Sequence, residues 1–279
     1  MIPTLAYSPC PNDTYIFAAL TNGLIEAPPV TVVLDDVEAL NAAAREGHHA
    51  FTKVSYGAIP YLTSTYRLLR SGGALGRGCG PLVVAKPDMS DAPKDLFALS
   101  RRALYAVPGE LTTAYLLLRL ALGFTPRTAI MRFDQIIDAV TSGDVDAGLI
   151  IHESRFTYQD RGLIAYADLG AWWEGETGKP IPLGAILARR DLDTATAMTY
   201  DAAIKASLRY ARAHEAAILP YVREHASEMD ENVMRRHIET YVNEFSNDVG
   251  EEGTAAVRAL FARASAAQLI PANAIAEFV

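Results

Sequence analysis

Apolar residues open the chain in short runs, each closed by a polar turn and followed by apolar residues at helical spacing. TLAY (4–7) precedes DTYIFAALTNG (13–23), VTVVLDD (30–36) precedes VEALNAAAREG (37–47), and AFTKVS (50–55) precedes YGAIPYLTST (56–65). The β-branched runs predict strands and the three-to-four-residue recurrence predicts helices. Their alternation predicts an α/β fold. YRLLRSG (66–72) and GPLVVAK (80–86) then bracket the glycine-dense SGGALGRGCG (71–80), and PDMSDAPKDLFALS (87–100) has the Asp, Pro and Ser content of a change of domain. A second series runs through ALYAVPG (103–109), LTTAYLLLRLALG (111–123), TAIMRFD (128–134), QIIDAVTSGD (135–144), AGLIIHE (147–153) and LIAYADLG (163–170), with PLGAILARRDL (182–192) as a further strand. From about residue 194 the periodicity is helical, in long amphipathic stretches suited to packing over the first sheet. The pattern predicts a larger discontinuous domain, 1–88 with 188–279, and a smaller one, 89–187. A cleft lies between them, and the chain crosses near Lys86–Met89 and Leu187–Asp191.

Composition narrows the function classes. A hydrophobic fraction of 50%, a charged fraction of 21% and a mean hydropathy of +0.09 describe a globular protein with no membrane-spanning run. A formal charge of −8 and a pI near 5.3 repel phosphate backbones, which excludes nucleic acid as a partner. MIPTLAYSPCPND carries neither the basic segment nor the apolar core of an export signal, so a cytoplasmic protein is expected. Cys10 and Cys79, without CxxC spacing, are expected as ordinary small side chains.

Three polar turns stand where a strand gives way to a helix, the position at which helix N-termini offer free N–H groups to an anion. In SPCPND (8–13), Pro9 and Pro11 stiffen the turn and Asn12 or Asp13 is placed to cap the helix that follows. Thr52, Lys53 and Ser55 close the third strand, and Thr112 and Thr113 open the helix after ALYAVPG. Converging on the cleft, these turns would suit a small anionic ligand.

SPCPND with DTYIFAAL, TKVSYGA, SGGALGRGCGPLVVAK, PGELTTAYLLL, AGLIIHESRFTY and DLGAWWEGETGKPIPLGAILARRDL resemble the 1,4-dihydroxy-6-naphthoate synthases, menaquinone biosynthetic enzymes of the futalosine route. The likeness runs from residue 5 past YVNEFSNDVGEEG, with Tyr15 in place of an expected Phe and Cys79 in the glycine loop. The resemblance implies a two-domain fold of the type 2 periplasmic-binding-protein kind and a cofactor-free carbon–carbon lyase. Its substrate would be cyclic dehypoxanthine futalosine, cleaved to 1,4-dihydroxy-6-naphthoate. It further implies substrate contacts at Thr52, Lys53, Val54, Thr113 and Ala114, which join Asn12, Ser55 and Thr112. Two other readings share the fold. Chorismate dehydratase, the sister enzyme, lacks the pairing of IIHES with SPCPND, and a solute-binding protein would carry export signals.

His152 follows AGLII at the carboxyl end of a strand, where α/β sheets place ligands. A histidine there can be structural or catalytic. His48 and His49 fall in a polar loop, and His214, His225 and His237 in amphipathic helices with an expected solvent-facing side. An imidazole of pKa about 6.5 accepts a proton near neutrality, so His152 is the candidate general base. Glu153 and Arg155 are candidates to orient it. Trp172 and Trp173 are either stacking residues or core anchors. GGALGRGCG precedes a strand rather than a helix, no GxxxxGK[ST] occurs, and HESRF lacks the second histidine of HExxH, so neither nucleotide nor metal is expected.

Overall fold

The computed structural model describes residues 2–87, 96, 99, 103–226, 230–272 and 274–279. The first sheet orders its strands β2 (Thr31–Leu34), β1 (Thr4–Tyr7), β3 (Phe51–Ser55), β11 (Ile181–Arg189) and β4 (Tyr66–Leu68), with β5 (Ala74–Gly76) also on β11. β1 runs parallel to β2 and β3, while β11 runs antiparallel to β3, from Gly184 opposite Ser55 to Ala188 opposite Phe51. The second sheet orders β10 (Ile164–Asp168), β6 (Leu82–Ala85), β9 (Ala147–Ile150), β7 (Leu104–Val107) and β8 (Arg127–Ile130). β9 is fully buried, as the apolar AGLI predicts, but it is parallel only to β7 and antiparallel to β6.

α1 (Pro11–Thr21) shows why the opening turn is built from two prolines. Cys10 is the extended N-cap and Pro11 takes the first helical position, where a missing N–H costs nothing. The helix thus starts before the expected caps, and Asn12 and Asp13 lie in its first turn. Asp13 reaches back to the Ser8 N–H, so the carboxylate stabilises the helix start from inside. α2 (Val37–Arg45) is capped by Asp36 and α3 (Thr113–Leu122) by Thr112. α4 (Ile136–Ser142), α5 (Ser154–Thr157) and α6 (Leu169–Thr177) complete the second sheet's surroundings. α7 (Thr194–Ala213) and α8 (Glu215–His225) pack on α1, and α9 (Glu231–Tyr241) lies against α1 and β5. α10 (Glu244–Asn247) and α11 (Gly250–Ala266) close the chain, with Glu251 and Glu252 at the favourable N-terminal end of α11.

By sheet membership the chain crosses earlier than expected at both places. It leaves the first sheet after Gly76 and enters the second at Leu82, so β6 precedes the expected crossing at Lys86–Met89, of which Asp88 and Met89 lie outside the described residues. It returns between Thr177 and Ile181, and Leu187–Arg189 are already paired in the first sheet. The glycine-dense segment explains the first crossing. A Cβ at Gly80 would stand 2.2 Å from the Gly170 nitrogen, so only glycine lets the crossing pass the start of α6. One apolar core spans both sheets, joining Val54, Leu116, Leu117, Leu149, Trp173, Leu187 and Leu260. Trp173 is fully buried within it and its indole N–H donates to Pro180 O at 3.0 Å, which makes it a core anchor. No helix among the described residues is long and apolar enough to cross a membrane.

Candidate active site

The carboxyl ends of β1, β3 and β9 and the N-termini of α1 and α3 open onto one cleft, with about 660 Å³ of empty space that includes open solvent. Asn12, Lys53, Ser55, Thr112, Thr113, Ala114 and His152 all line it. Thr52 and Val54 do not: alternation along β3 brings Lys53 and Ser55 to the cleft and buries their neighbours on the other face. Trp172 and Trp173 are also absent from its lining. Among the described residues no group of three or more His, Cys, Asp or Glu side chains is arranged to hold a metal ion.

One wall is a buried polar network centred on Asp13. Its carboxylate accepts from Ser8 Oγ at 2.7 Å, Ser8 N at 3.3 Å and Asn12 Nδ2 at 2.8 Å, and Lys53 Nζ stands 2.5 Å away. Lys53 also donates to Gly72 O at 3.3 Å. Both side chains of the ion pair are nearly inaccessible, at 6% and 2%, and the hydrogen bonds around them offset the cost of removing two charges from water. Ser55 is held by Asn41, whose Oδ1 accepts from its N–H at 2.9 Å.

The opposite wall begins at Thr113. Its hydroxyl donates to Leu183 O at 2.7 Å and accepts from Gly57 N at 3.1 Å, bridging the start of α3 to the first sheet. Gly57 makes the approach possible, since a Cβ there would lie 2.8 Å from Leu111 O. Glu38 of α2 adds a second link by accepting from Leu111 N at 3.1 Å.

His152 stands beyond β9 with φ at 57°, the left-handed region that a histidine adopts only when its surroundings hold it there. Its ring is partly buried, with its Nδ1 3.5 Å from Cys10 Sγ and its face 4.9 Å from Phe133 in an edge contact. Burial lowers its pKa to about 4, against the opposing pull of Asp13, so the ring is neutral at pH 7. Burial also pushes the Cys10 thiol well up, so its sulfur carries no charge. Arg155 is turned away from the cleft, bonding to Gly80 O and to Asp168 at 2.6 Å.

His237 corrects the sequence expectation. It was expected on a solvent-facing side but is completely buried and lines the cleft, with Nε2 2.9 Å from Asn12 Oδ1 and Nδ1 3.9 Å from Glu153 Oε2. A signal existed: Met234, His237 and Tyr241 recur at helical spacing as the buried stripe of α9. Tyr241, Ser8 and Asp13 also line the cleft, and the sequence reading did not assign them to it.

A family profile described as menaquinone biosynthesis matches residues 3–266. The chain belongs to that family. The chain is also similar to the 1,4-dihydroxy-6-naphthoate synthase of Thermus thermophilus, 53% identical over 94% of this chain and 93% of the relative. The synthase of the same name from Streptomyces coelicolor is 48% identical over 96% and 94%. A crystal structure of an Archaeoglobus fulgidus protein, 34% identical, superposes with a TM-score of 0.88 over 96% of this chain and 98% of that one. The Escherichia coli periplasmic aliphatic sulphonate binding protein, at 12% identity, shares the fold with a TM-score of 0.67 over 97% and 88%. This chain thus has the expected periplasmic-binding-protein-like α/β fold.

Proposed function

We propose that this protein is a 1,4-dihydroxy-6-naphthoate synthase, a carbon–carbon lyase acting on cyclic dehypoxanthine futalosine, with His152 as its general base. The observation that carries the reading is a neutral imidazole at a strand's carboxyl end, held over a cleft whose other wall carries a buried lysine. The near-full-length identity to two synthases of that name supports the substrate. Nδ1 faces Cys10 Sγ at 3.5 Å; in this reading it carries the ring hydrogen, and Nε2 keeps the lone pair that meets the ligand. The imidazole takes a carbon-bound proton whose bonding pair moves into the ring. The carbon–carbon bond to the sugar-derived fragment breaks with its pair leaving on that fragment, which takes up the proton in turn, and aromatisation drives the step. A pKa near 4 makes the ring a weaker base than free imidazole, yet leaves nearly all of it unprotonated at pH 7.

Asn12, Lys53, Ser55, Thr112, Thr113 and Ala114 form the substrate-binding surface of this reading. Lys53 and the buried N-terminus of α3 face the anionic end of the ligand, the helix end offering free N–H groups. Thr52 and Val54 act only by holding β3 in register, which aims Lys53 and Ser55 at the cleft. The reaction draws on no cofactor. Incubating the purified protein with cyclic dehypoxanthine futalosine and, separately, with chorismate tests the reading: naphthoate is expected from the first alone, and its absence there overturns the assignment.

A further inference from the structure

His237 has no part in the chemistry above, yet its surroundings are those of a working residue. Tyr241 and Phe156 pack around its ring at centroid distances of 4.7 and 6.4 Å, and the His152 ring lies 6.1 Å away and within 9° of parallel. The orientation of Asn12 decides which ring nitrogen carries hydrogen. Asn12 Nδ2 donates to Asp13 Oδ1 at 2.8 Å, and a flipped amide would set its oxygen against the carboxylate that Lys53 also holds. Asn12 Oδ1 therefore faces His237 as an acceptor, and His237 Nε2 is the donor at 2.9 Å.

Burial holds the His237 pKa well below its ordinary value, helped by the neighbouring His152 and Lys53, so the ring has one hydrogen and Nδ1 is a bare lone pair. That Nδ1 is buried and has no hydrogen-bond partner. The oxygen facing it, Glu153 Oε2, stands 3.9 Å away, too far to hydrogen-bond it. Protein interiors rarely leave such an atom unsatisfied, and only a group that brings its own hydrogen can satisfy this one.

Resting on the synthase reading of the cleft, we infer that His237 is a substrate-binding residue whose Nδ1 accepts a hydrogen bond from a hydroxyl of the bound ligand. Asn12, Asp13 and Lys53 hold it in the required tautomer. The first-sheet network thereby has a second purpose: besides binding an anion, it sets the hydrogen-bonding character of an imidazole contributed by a distant helix.

Two substitutions separate the ring nitrogens. His237→Gln places an amide nitrogen where Nε2 stands and removes the acceptor, whereas His237→Asn keeps an oxygen near Nδ1 and loses the bond to Asn12. With cyclic dehypoxanthine futalosine, His237→Gln should raise KM about tenfold or more with kcat within about threefold, and His237→Asn should stay nearer the parent protein. Nitrogen-15 spectra of the ligand-free protein should show His237 protonated on Nε2 alone. A parental KM in His237→Gln overturns the inference, and so does a hydrogen found on Nδ1. Equal impairment of both variants with a lowered unfolding midpoint also overturns it, since that is the mark of a structural residue. If the parent protein forms no naphthoate, the synthase reading falls instead. The Nδ1 resonance on addition of 1,4-dihydroxy-6-naphthoate then decides: a shift supports hydroxyl binding and an unmoved line overturns it.

Discussion

The turn after β1 and the turn after β9 do the same topological job and are built in opposite ways. Both carry the chain from a strand's carboxyl end into a helix, and both face the same cleft. The first is wholly buried from Asn12 onward, starts an eleven-residue helix on Pro11, and wires Asp13 to Ser8, Asn12 and Lys53. The second leads into a four-residue helix with no side-chain cap and puts His152 in a left-handed conformation. One turn is rigid because its charges are paired and its donors satisfied; the other holds its imidazole by backbone geometry, packing and a single contact to Cys10 Sγ. The difference teaches how such a cleft divides labour. Binding groups that must not move are fixed by electrostatics, and the group that must exchange a proton is left without a strong partner.

The largest effect expected from this contrast is on His152. His152→Asn should lower kcat by roughly 10²–10⁴ while the urea midpoint stays unchanged, because asparagine tolerates the left-handed backbone that the turn requires. Retention of more than about a tenth of the activity breaks the functional half of the comparison. The pH profile sharpens it. With a folded pKa of about 4, kcat/KM should be level from neutrality down to about pH 5 and fall below that as the base is protonated. The same shift affects stability. The unfolded chain binds the proton near pH 6.5 and the folded one only near 4, so the contribution of His152 is complete above 6.5 and is lost as pH falls towards 4. An acid limb at 6.5 would mean that burial does not govern this residue.

Asp13 probes the other turn. Asp13→Asn leaves the Lys53 ammonium buried without its counter-charge, and should cost about 3–5 kcal/mol in urea unfolding. A loss below about 1 kcal/mol, the range of exposed pairs, would show that the first turn is no more rigid than the second. The smallest effect belongs to the seam between them. Thr113→Val removes both the donor to Leu183 O and the acceptor of Gly57 N, at a cost of about 1–3 kcal/mol that Thr113→Ser should recover. An equal loss in Thr113→Ser would assign the effect to packing of the methyl group rather than to the bridge.

Much of this site was legible because its parts sit at places that sequence punctuates. Asn12, Lys53, Ser55, Thr112, Thr113 and His152 lie at strand ends or helix starts, where prolines, threonines and polar breaks interrupt apolar runs. Alternation along β3 could have set Thr52 and Val54 apart from Lys53 and Ser55, since period two sends neighbours to opposite faces. The crossings were misplaced because β11 reads as one continuous apolar run with no mark of which sheet it joins, and β6 likewise.

Local pattern by itself determined the alternation of strands and helices, the turns that carry chemistry and the histidine at the end of β9. Only the tertiary structure decided that His237 lies beside Asn12, 225 residues away, and that Asp13 rather than solvent neutralises Lys53. Periodicity records which side of an element avoids water, because burial acts on each segment's own surface. What lies against that side depends on how the segments assemble. A histidine on the buried stripe of α9 is therefore visible in the chain, whereas its partner is not.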